Sequence, residues 1–172
     1  MGKDRSHSNV KKLGVNGFGR IGKLTLWHHV CGKYFSEIVV IFGRGAGTRL
    51  VDVAQYSDRD SSYGLLHGYL YGHNAQPLIS DLNEKEGTML IDGIKVTFLR
   101  KDRNPADIDW RGQAVRLVVD TTGQFLDPVL PGDHPGGAMR GHIDAGAEKV
   151  IVSAPFKIKD IGASMPDDAT TT

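Results

Sequence analysis

Three glycines within six residues, Gly17-Phe18-Gly19-Arg20-Ile21-Gly22, are the residues of this chain whose spacing most directly suggests chemistry. That chemistry is recognition of a diphosphate by main-chain amides. Gly17 permits a sharp turn, Gly19 presents no side chain to hold a phosphate away from the backbone, and Gly22 lets a following helix pack closely on a sheet. A helix opening at Arg20 leaves the amides of its first turn without intrahelical partners, and its positive dipole end favours an anion. Read through Lys23, the same stretch also satisfies Gly-x-x-x-x-Gly-Lys, the phosphate loop of nucleoside triphosphatases. Leu24 stands where that loop needs a Ser or Thr hydroxyl for Mg²⁺, so the dinucleotide reading is the stronger of the two. A bare tight turn is the remaining alternative, and the strand before and helix after the motif argue against it.

The dinucleotide fingerprint asks for an acidic residue at the end of the second strand, where it accepts hydrogen bonds from the adenosine ribose 2′-hydroxyl. Gly43 occupies that place, and Arg44 follows it. A carboxylate there would repel a 2′-phosphate, whereas glycine leaves room and a nearby guanidinium can pair with it. The expectation is tolerance of, or preference for, NADP. A solvated Arg44 without a ligand is the competing reading.

These residues need elements to position them. Lys11 to Val15 reads as a short strand, Arg20 to about Lys33 as a helix, and Ile38 to Phe42 as a strand apolar throughout and covered on both faces. Leu50, Val51, Val53, Ala54 and Tyr56 fit a second helix, ending in the polar cluster Ser57 to Ser62. Met89 to Ile91 and Ile94 to Phe98 flank Asp92-Gly93, a dipeptide suited to a type I′ hairpin turn. Val115 to Val119 and Val150 to Val152 are two more buried strands, separated by the Pro- and Gly-rich Asp127 to Gly137 and a helical stretch around His142 to Ala147. Apolar strands alternating with helices predict an α/β fold: a Rossmann-type, doubly wound, mostly parallel sheet with an inserted β-hairpin.

Composition sets outer bounds. The chain has 172 residues, 21 basic against 20 acidic side chains and a formal charge of +1, which offers no electrostatic argument for a nucleic-acid or anionic-membrane partner. Its single cysteine, Cys31, excludes an internal disulfide and any thiolate-rich metal site, and fits a cytoplasmic address. Cys31 falls within the first helical pattern and is expected to be a small buried thiol. No apolar run approaches the length of a membrane span. Residues 1–12 read as a polar leader, and their match to the myristoylation pattern, Met1-Gly2-Lys3-Asp4-Arg5-Ser6, is taken as accidental. His28 and His29 are adjacent and cannot share a helix face; His67, His73, His134 and His142 form no metal-ligand spacing, and packing is the expectation for all of them.

The chain resembles the glyceraldehyde-3-phosphate dehydrogenase family. Leu13 to Gly22 carries the likeness first. Asp60-Ser61-Ser62-Tyr63-Gly64, Ile91-Asp92-Gly93, Arg103-Asn104-Pro105 with Trp110, Asp120-Thr121-Thr122-Gly123-Gln124-Phe125, and Gly146 to Pro155 follow in family order. The resemblance implies an NAD(P)-binding domain over residues 13–155, with 156–172 as a tail leading toward a catalytic domain. It implies a nicotinamide dinucleotide on the amides of Arg20 and Ile21. Asn16 belongs to the same pocket, Arg103 lies near the adenine, Thr121 and Thr122 beside the cofactor, and Ser153 toward the nicotinamide end. Gly123 and Phe18 sit within the matching blocks. For the complete family enzyme the likeness implies a homotetramer.

Departures qualify the likeness. The ribose-binding acid is missing at Gly43, and the region from Asp127 to Arg140 is longer than the family's. The family's nucleophile lies in a Ser-Cys-Thr-Thr-Asn block downstream of Ser-Ala-Pro, and the 172 residues do not contain that block. The chain is therefore expected to be an incomplete domain that binds cofactor without turning over, exposes apolar surface, and carries no catalytic residue and no metal. A non-catalytic NAD(P)-binding or partner-docking module, and a related dehydrogenase of another phosphorylated aldehyde such as erythrose 4-phosphate, are the alternatives.

Overall fold

Strand β1 (Lys12–Asn16) pairs in parallel with β2 (Glu37–Phe42), Leu13 opposite Ile38 and Asn16 opposite Ile41, and α1 (Arg20–Gly32) connects them. The computed structural model describes residues 11–101 and 104–157, with the Arg44 side chain excepted. The leader through residue 10, Arg103 and the tail from residue 158 lie outside the described residues. In α1 the buried residues are Gly22, Lys23, Leu26, Trp27 and Val30, a stripe of helical period that faces the sheet. The helix stops where Lys33 turns left-handed (φ 49°) and its amide closes on the His29 carbonyl at 3.1 Å.

Beyond β2, a single 3-10 turn (Arg44–Ala46) leads into α2 (Leu50–Asp58). A minimal hairpin, β3 (Arg59–Asp60) with β4 (Gly64–Leu65), and α3 (Leu66–Tyr71) follow. Next come β5 (Ile79–Asn83), β6 (Thr88–Ile91) and β7 (Ile94–Arg100). Asp92 (φ 50°) and Gly93 (φ 78°) both have the positive φ of the expected type I′ turn. The chain closes its described part with β8 (Leu117–Asp120), α4 (Gly141–Asp144) and β9 (Lys149–Val152). The sheet order is β5-β6-β7-β2-β1-β8-β9, with β7 through β9 mutually parallel and β5, β6 and β7 an antiparallel meander at one edge.

Strand periodicity divides the core in two. Ile38, Val40 and Phe42 of β2 join Leu13, Val15, Leu26 and Trp27 in one cluster, while Val39 and Ile41 join Ile108, Trp110, Val115 and Val118 in the other. Both faces of β2 are therefore dry, as its unbroken apolar run requires. On β1 the alternate residue to Leu13 and Val15 is Gly14, where an added Cβ would lie 2.7 Å from the Trp110 ring and 2.9 Å from Val115 Cγ1. Trp110, fully buried, fills the room a side chain would take.

Several expectations need correction. Cys31 is exposed, because it lies off the Leu26, Trp27 and Val30 stripe of α1. The strand expected from Val115 begins at Leu117: Ala114 is left-handed (φ 55°) and the Val115 amide is held by the Trp110 carbonyl at 2.9 Å. The helix expected over 142–147 ends at Asp144, with Gly146 at φ 111°. The hairpin has a third strand, β5, whose mixed, largely exposed residues carry no alternation, and α3 adds a short helix that was not anticipated. Among the described residues no helix is long and apolar enough to cross a membrane.

Gly14→Ala tests the packing beneath β1. The added methyl should overpack Trp110 and cost about 1–3 kcal/mol, read as a lowered denaturant midpoint at unchanged slope. A variant as stable as the parent would contradict the account.

Candidate dinucleotide-binding site

The chain leaves β1 for β2 on one side and returns to β8 on the other, so the strand order reverses at β1. A crevice beyond the carboxyl ends of β1 and β8 is where ligands bind in such sheets. Gly17, Phe18 and Gly19 cross it between β1 and α1. The Gly17 amide donates to Ile41 O at 3.0 Å, and Gly17 takes φ +95°, with a built Cβ only 3.0 Å from the Thr122 amide nitrogen. At Gly22 a Cβ would lie 2.2 Å from Gly17 O and 2.8 Å from Thr121 Oγ1. Both positions need glycine for internal reasons. Gly19 does not: nothing lies within 4 Å of a Cβ built there. It is the N-cap of α1, no side chain caps the helix, and its first turn contains no acidic residue. The first amides of that turn have no intrahelical partner. Phe18 turns the other way, buried edge-on against Tyr56 and Phe98.

Asp120, at the end of β8, holds the far wall. Its Oδ1 accepts from the Thr122 amide at 2.8 Å and the Thr122 hydroxyl at 2.6 Å; its Oδ2 accepts from Asn16 Nδ2 at 3.1 Å and faces His142 Nε2 at 2.9 Å. Trp110 Nε1 donates to His142 Nδ1 at 2.9 Å. An indole N–H can only donate, so Nδ1 is the acceptor and the proton of a neutral imidazole sits on Nε2, donated to Asp120. Asp120 and His142 are buried. Burial pushes the Asp120 carboxyl up, but the hydrogen bonds from His142 and from Thr122 outweigh it and hold the group below the ordinary aspartate range. The Thr121 hydroxyl contacts Asn16 O at 3.1 Å and Gly17 O at 2.8 Å, tying this wall to the glycine turn. His142 was expected only to pack; it fixes the loop that carries Thr121, Thr122 and Gly123 (φ +65°). The paired signals for it were the Asp120 block and His142 itself, 22 residues apart, which no local spacing rule connects.

Lys23 and Asp60 set the entry of α1. Lys23 Nζ donates to Arg59 O, lies 3.4 Å from Asp60 Oδ2, and sits 4.4 Å over the Tyr56 ring. This buried, internally committed ammonium is not the free lysine of a nucleoside triphosphatase loop. Amide hydrogen bonds from Ser62, and after them from Tyr63, with the Lys23 ammonium, hold the buried Asp60 carboxyl low against its desolvation. Arg20 reaches Ser61 Oγ at 2.9 Å and Asp60 Oδ2 at 3.7 Å. A cleft of about 970 Å³ opens beside this cluster, bounded by Arg20, Lys23, the Gly45 to Gly47 loop and Tyr56.

At the end of β2, Gly43 caps the 3-10 turn of Arg44. Arg100, the last residue of β7, donates to Gly43 O at 3.5 Å and to Gly47 O, with its guanidinium 4.7 Å from the Phe42 ring centroid. Sequence reasoning passed over Arg100 because it counted positions along the chain, whereas β7 is brought to β2 by parallel pairing of Arg100 with Phe42. Ser153, exposed after β9, joins the wall through its amide, which donates to Asp120 O at 2.9 Å. Asn16, Gly17, Gly19, Gly22, Thr121, Thr122 and Gly123 are thus brought together at the carboxyl ends of β1 and β8, with Ser153 held to Asp120 through its amide and the exposed Arg20 and Ile21 at the start of α1. No group of His, Cys, Asp and Glu able to hold a metal occurs among the described residues.

Asp120 gives a pH signature. Its folded pKa lies below the unfolded value of about 3.9, so the unfolded chain binds more protons in between and stability falls as pH drops through that window. Asp120→Asn should lower stability at neutral pH and flatten the acid limb of a pH series of urea unfolding curves. An acid limb as steep as the parent's would count against Asp120 as the anchor.

A family model described as "Glyceraldehyde 3-phosphate dehydrogenase, NAD binding domain" matches residues 11–128. Among curated proteins, the chain is 32% identical over 150 residues to a glyceraldehyde-3-phosphate dehydrogenase of Streptomyces coelicolor, covering 87% of this chain and 38% of the relative. It is 34% identical over 146 residues to one of Bacteroides fragilis, covering 85% of this chain and 37% of the relative. A cytosolic one of Dianthus caryophyllus is 31% identical over 146 residues, with 85% and 37% covered. The chain spans little more than a third of the length of these relatives. With its parallel sheet, its glycine turn at the strand reversal and these matches together, the chain belongs to the glyceraldehyde-3-phosphate dehydrogenase NAD-binding domain family.

Proposed function

We propose that this chain is the dinucleotide-binding part of a glyceraldehyde-3-phosphate dehydrogenase, the glycolytic enzyme that oxidises and phosphorylates glyceraldehyde 3-phosphate. The observation that carries the reading is Gly19: Gly17 and Gly22 are glycine because neighbouring atoms demand it, whereas Gly19 faces open space at an uncapped helix start. A residue without a side chain there serves something that approaches from outside, and a diphosphate fits the amides of Arg20 and Ile21. In this reading Asn16, Thr121, Thr122, Gly123 and Ser153 hold and orient the coenzyme, and a nicotinamide bound there would supply the hydride acceptor. Gly43 supplies no carboxylate to repel a 2′-phosphate, so the proposal includes NADP as well as NAD. A cytoplasmic address and a tetrameric whole enzyme complete the proposal.

Oxidation of the aldehyde requires a thiolate nucleophile. Cys31 cannot supply it, because it lies eleven residues along α1 from Arg20, roughly 16 Å at 1.5 Å per residue, away from the crevice. The 172 residues hold no other cysteine. Their part in the reaction is to bind and orient the coenzyme.

Two measurements test this. Gly19→Leu should fold, losing about 1 kcal/mol as a poorer helix cap, yet lower dinucleotide affinity about tenfold or more in a calorimetric titration; unchanged affinity would refute the cradle. Purified free of host enzyme, the 172-residue chain should form no NAD(P)H from glyceraldehyde 3-phosphate and phosphate. Substrate-dependent absorbance at 340 nm would contradict the division of labour.

A further inference from the structure

We propose that Arg100 reads the adenosine 2′-phosphate and confers preference for NADP; the inference rests on the reading of the crevice as a dinucleotide cradle. The argument begins at Gly43, where the fingerprint would place a ribose-binding carboxylate. Its backbone, at φ −94° and ψ −155°, is extended and open to any residue, so conformation does not demand glycine there. Gly47 makes the contrast: φ is +85° and a Cβ would lie 2.2 Å from Asp52 Cβ. Glycine at this position thus relieves no backbone strain, and it supplies no carboxylate.

A fixed cation borders Gly43. Parallel pairing sets Arg100 beside Phe42, the residue before Gly43. The guanidinium lies over the Phe42 ring and spans the carbonyls of Gly43 and Gly47, so it is held flat at both ends of the loop. Two of its nitrogens are thus engaged, and a guanidinium carries five N–H donors in a planar fork suited to phosphate. The nearby carboxylate of Asp52 does not compete. It accepts from Arg49 Nη2 at 3.1 Å and from the amides of Arg49 and Thr48 at 3.0 and 3.2 Å. A 2′-phosphate at the end of β2 would meet a pre-ordered arginine with Asp52 committed elsewhere, and Gly43 offers a 2′-hydroxyl no carboxylate to accept its hydrogen bond.

Isothermal titration of the parent chain, Arg100→Ala and Arg100→Lys with NADP⁺, NAD⁺ and 2′,5′-ADP tests the assignment. The parent should bind NADP⁺ more tightly than NAD⁺. Arg100→Ala should lose about tenfold or more in affinity for NADP⁺ and 2′,5′-ADP while NAD⁺ affinity changes by no more than about twofold; Arg100→Lys should fall between, because it keeps charge and loses the fork. An equal loss for both dinucleotides, as expected of a residue that only staples the loop, would overturn the proposal, as would no loss. If the parent binds neither dinucleotide, the cradle itself is refuted, and this inference with it. Should Arg100→Ala fail to fold, Gly43→Asp, which places a carboxylate beside Arg100, should abolish the NADP⁺ preference; a retained preference would overturn the assignment.

Discussion

The carboxylate of Asp120, buried at the end of β8 among four hydrogen-bond donors, is the interaction on which the crevice depends. Through Asn16 it reaches the end of β1, through Thr122 it shapes its own loop, and through His142 it reaches α4 and Trp110. Each partner belongs to a different part of the chain, so the four donors also fix the relative positions of those parts. A charge this buried is costly unless fully satisfied. The indole donor of Trp110 orients the His142 ring, whose Nε2 meets Asp120 Oδ2.

From that anchor the glycine turn follows. Thr121, held one residue beyond Asp120, hydrogen-bonds the carbonyls of Asn16 and Gly17, and Gly22 lets α1 approach the same carbonyl of Gly17. On the other side of the helix, Lys23 and Arg20 are pinned to Asp60. The start of α1 is therefore clamped from both sides while its first-turn amides stay open. Preorganisation of this kind lets a main-chain site bind an anion without ordering mobile side chains.

How much of this was legible in the residues depends on the range over which they act. The strand-turn-helix around Gly17 to Gly22 and the strand Ile38 to Phe42 were readable because glycine spacing and an unbroken β-branched run act locally. The type I′ turn at Asp92-Gly93 was readable for the same reason. β5 was not, since Ile79 and Leu82 in an otherwise polar edge strand do not alternate at the strand period. Cys31 was placed inside because thiols usually are, although the helical stripe through Trp27 and Val30 already set it on another face. His142 and Arg100 were invisible as site residues because their partners, Asp120 and Gly43, are 22 and 57 positions away and meet them only through sheet pairing and packing.

The central claim is that open amides at the start of α1 take the diphosphate of a nicotinamide dinucleotide. Amide-resolved NMR titration of the ¹⁵N-labelled chain with NADP⁺ tests it most directly. The account predicts that the largest saturable shifts fall on Gly19 to Gly22 and on Thr121 to Gly123, with the hairpin at Asp92-Gly93 unmoved. Saturable shifts confined to other parts of the molecule, with the amides of Arg20 and Ile21 unchanged, would contradict it.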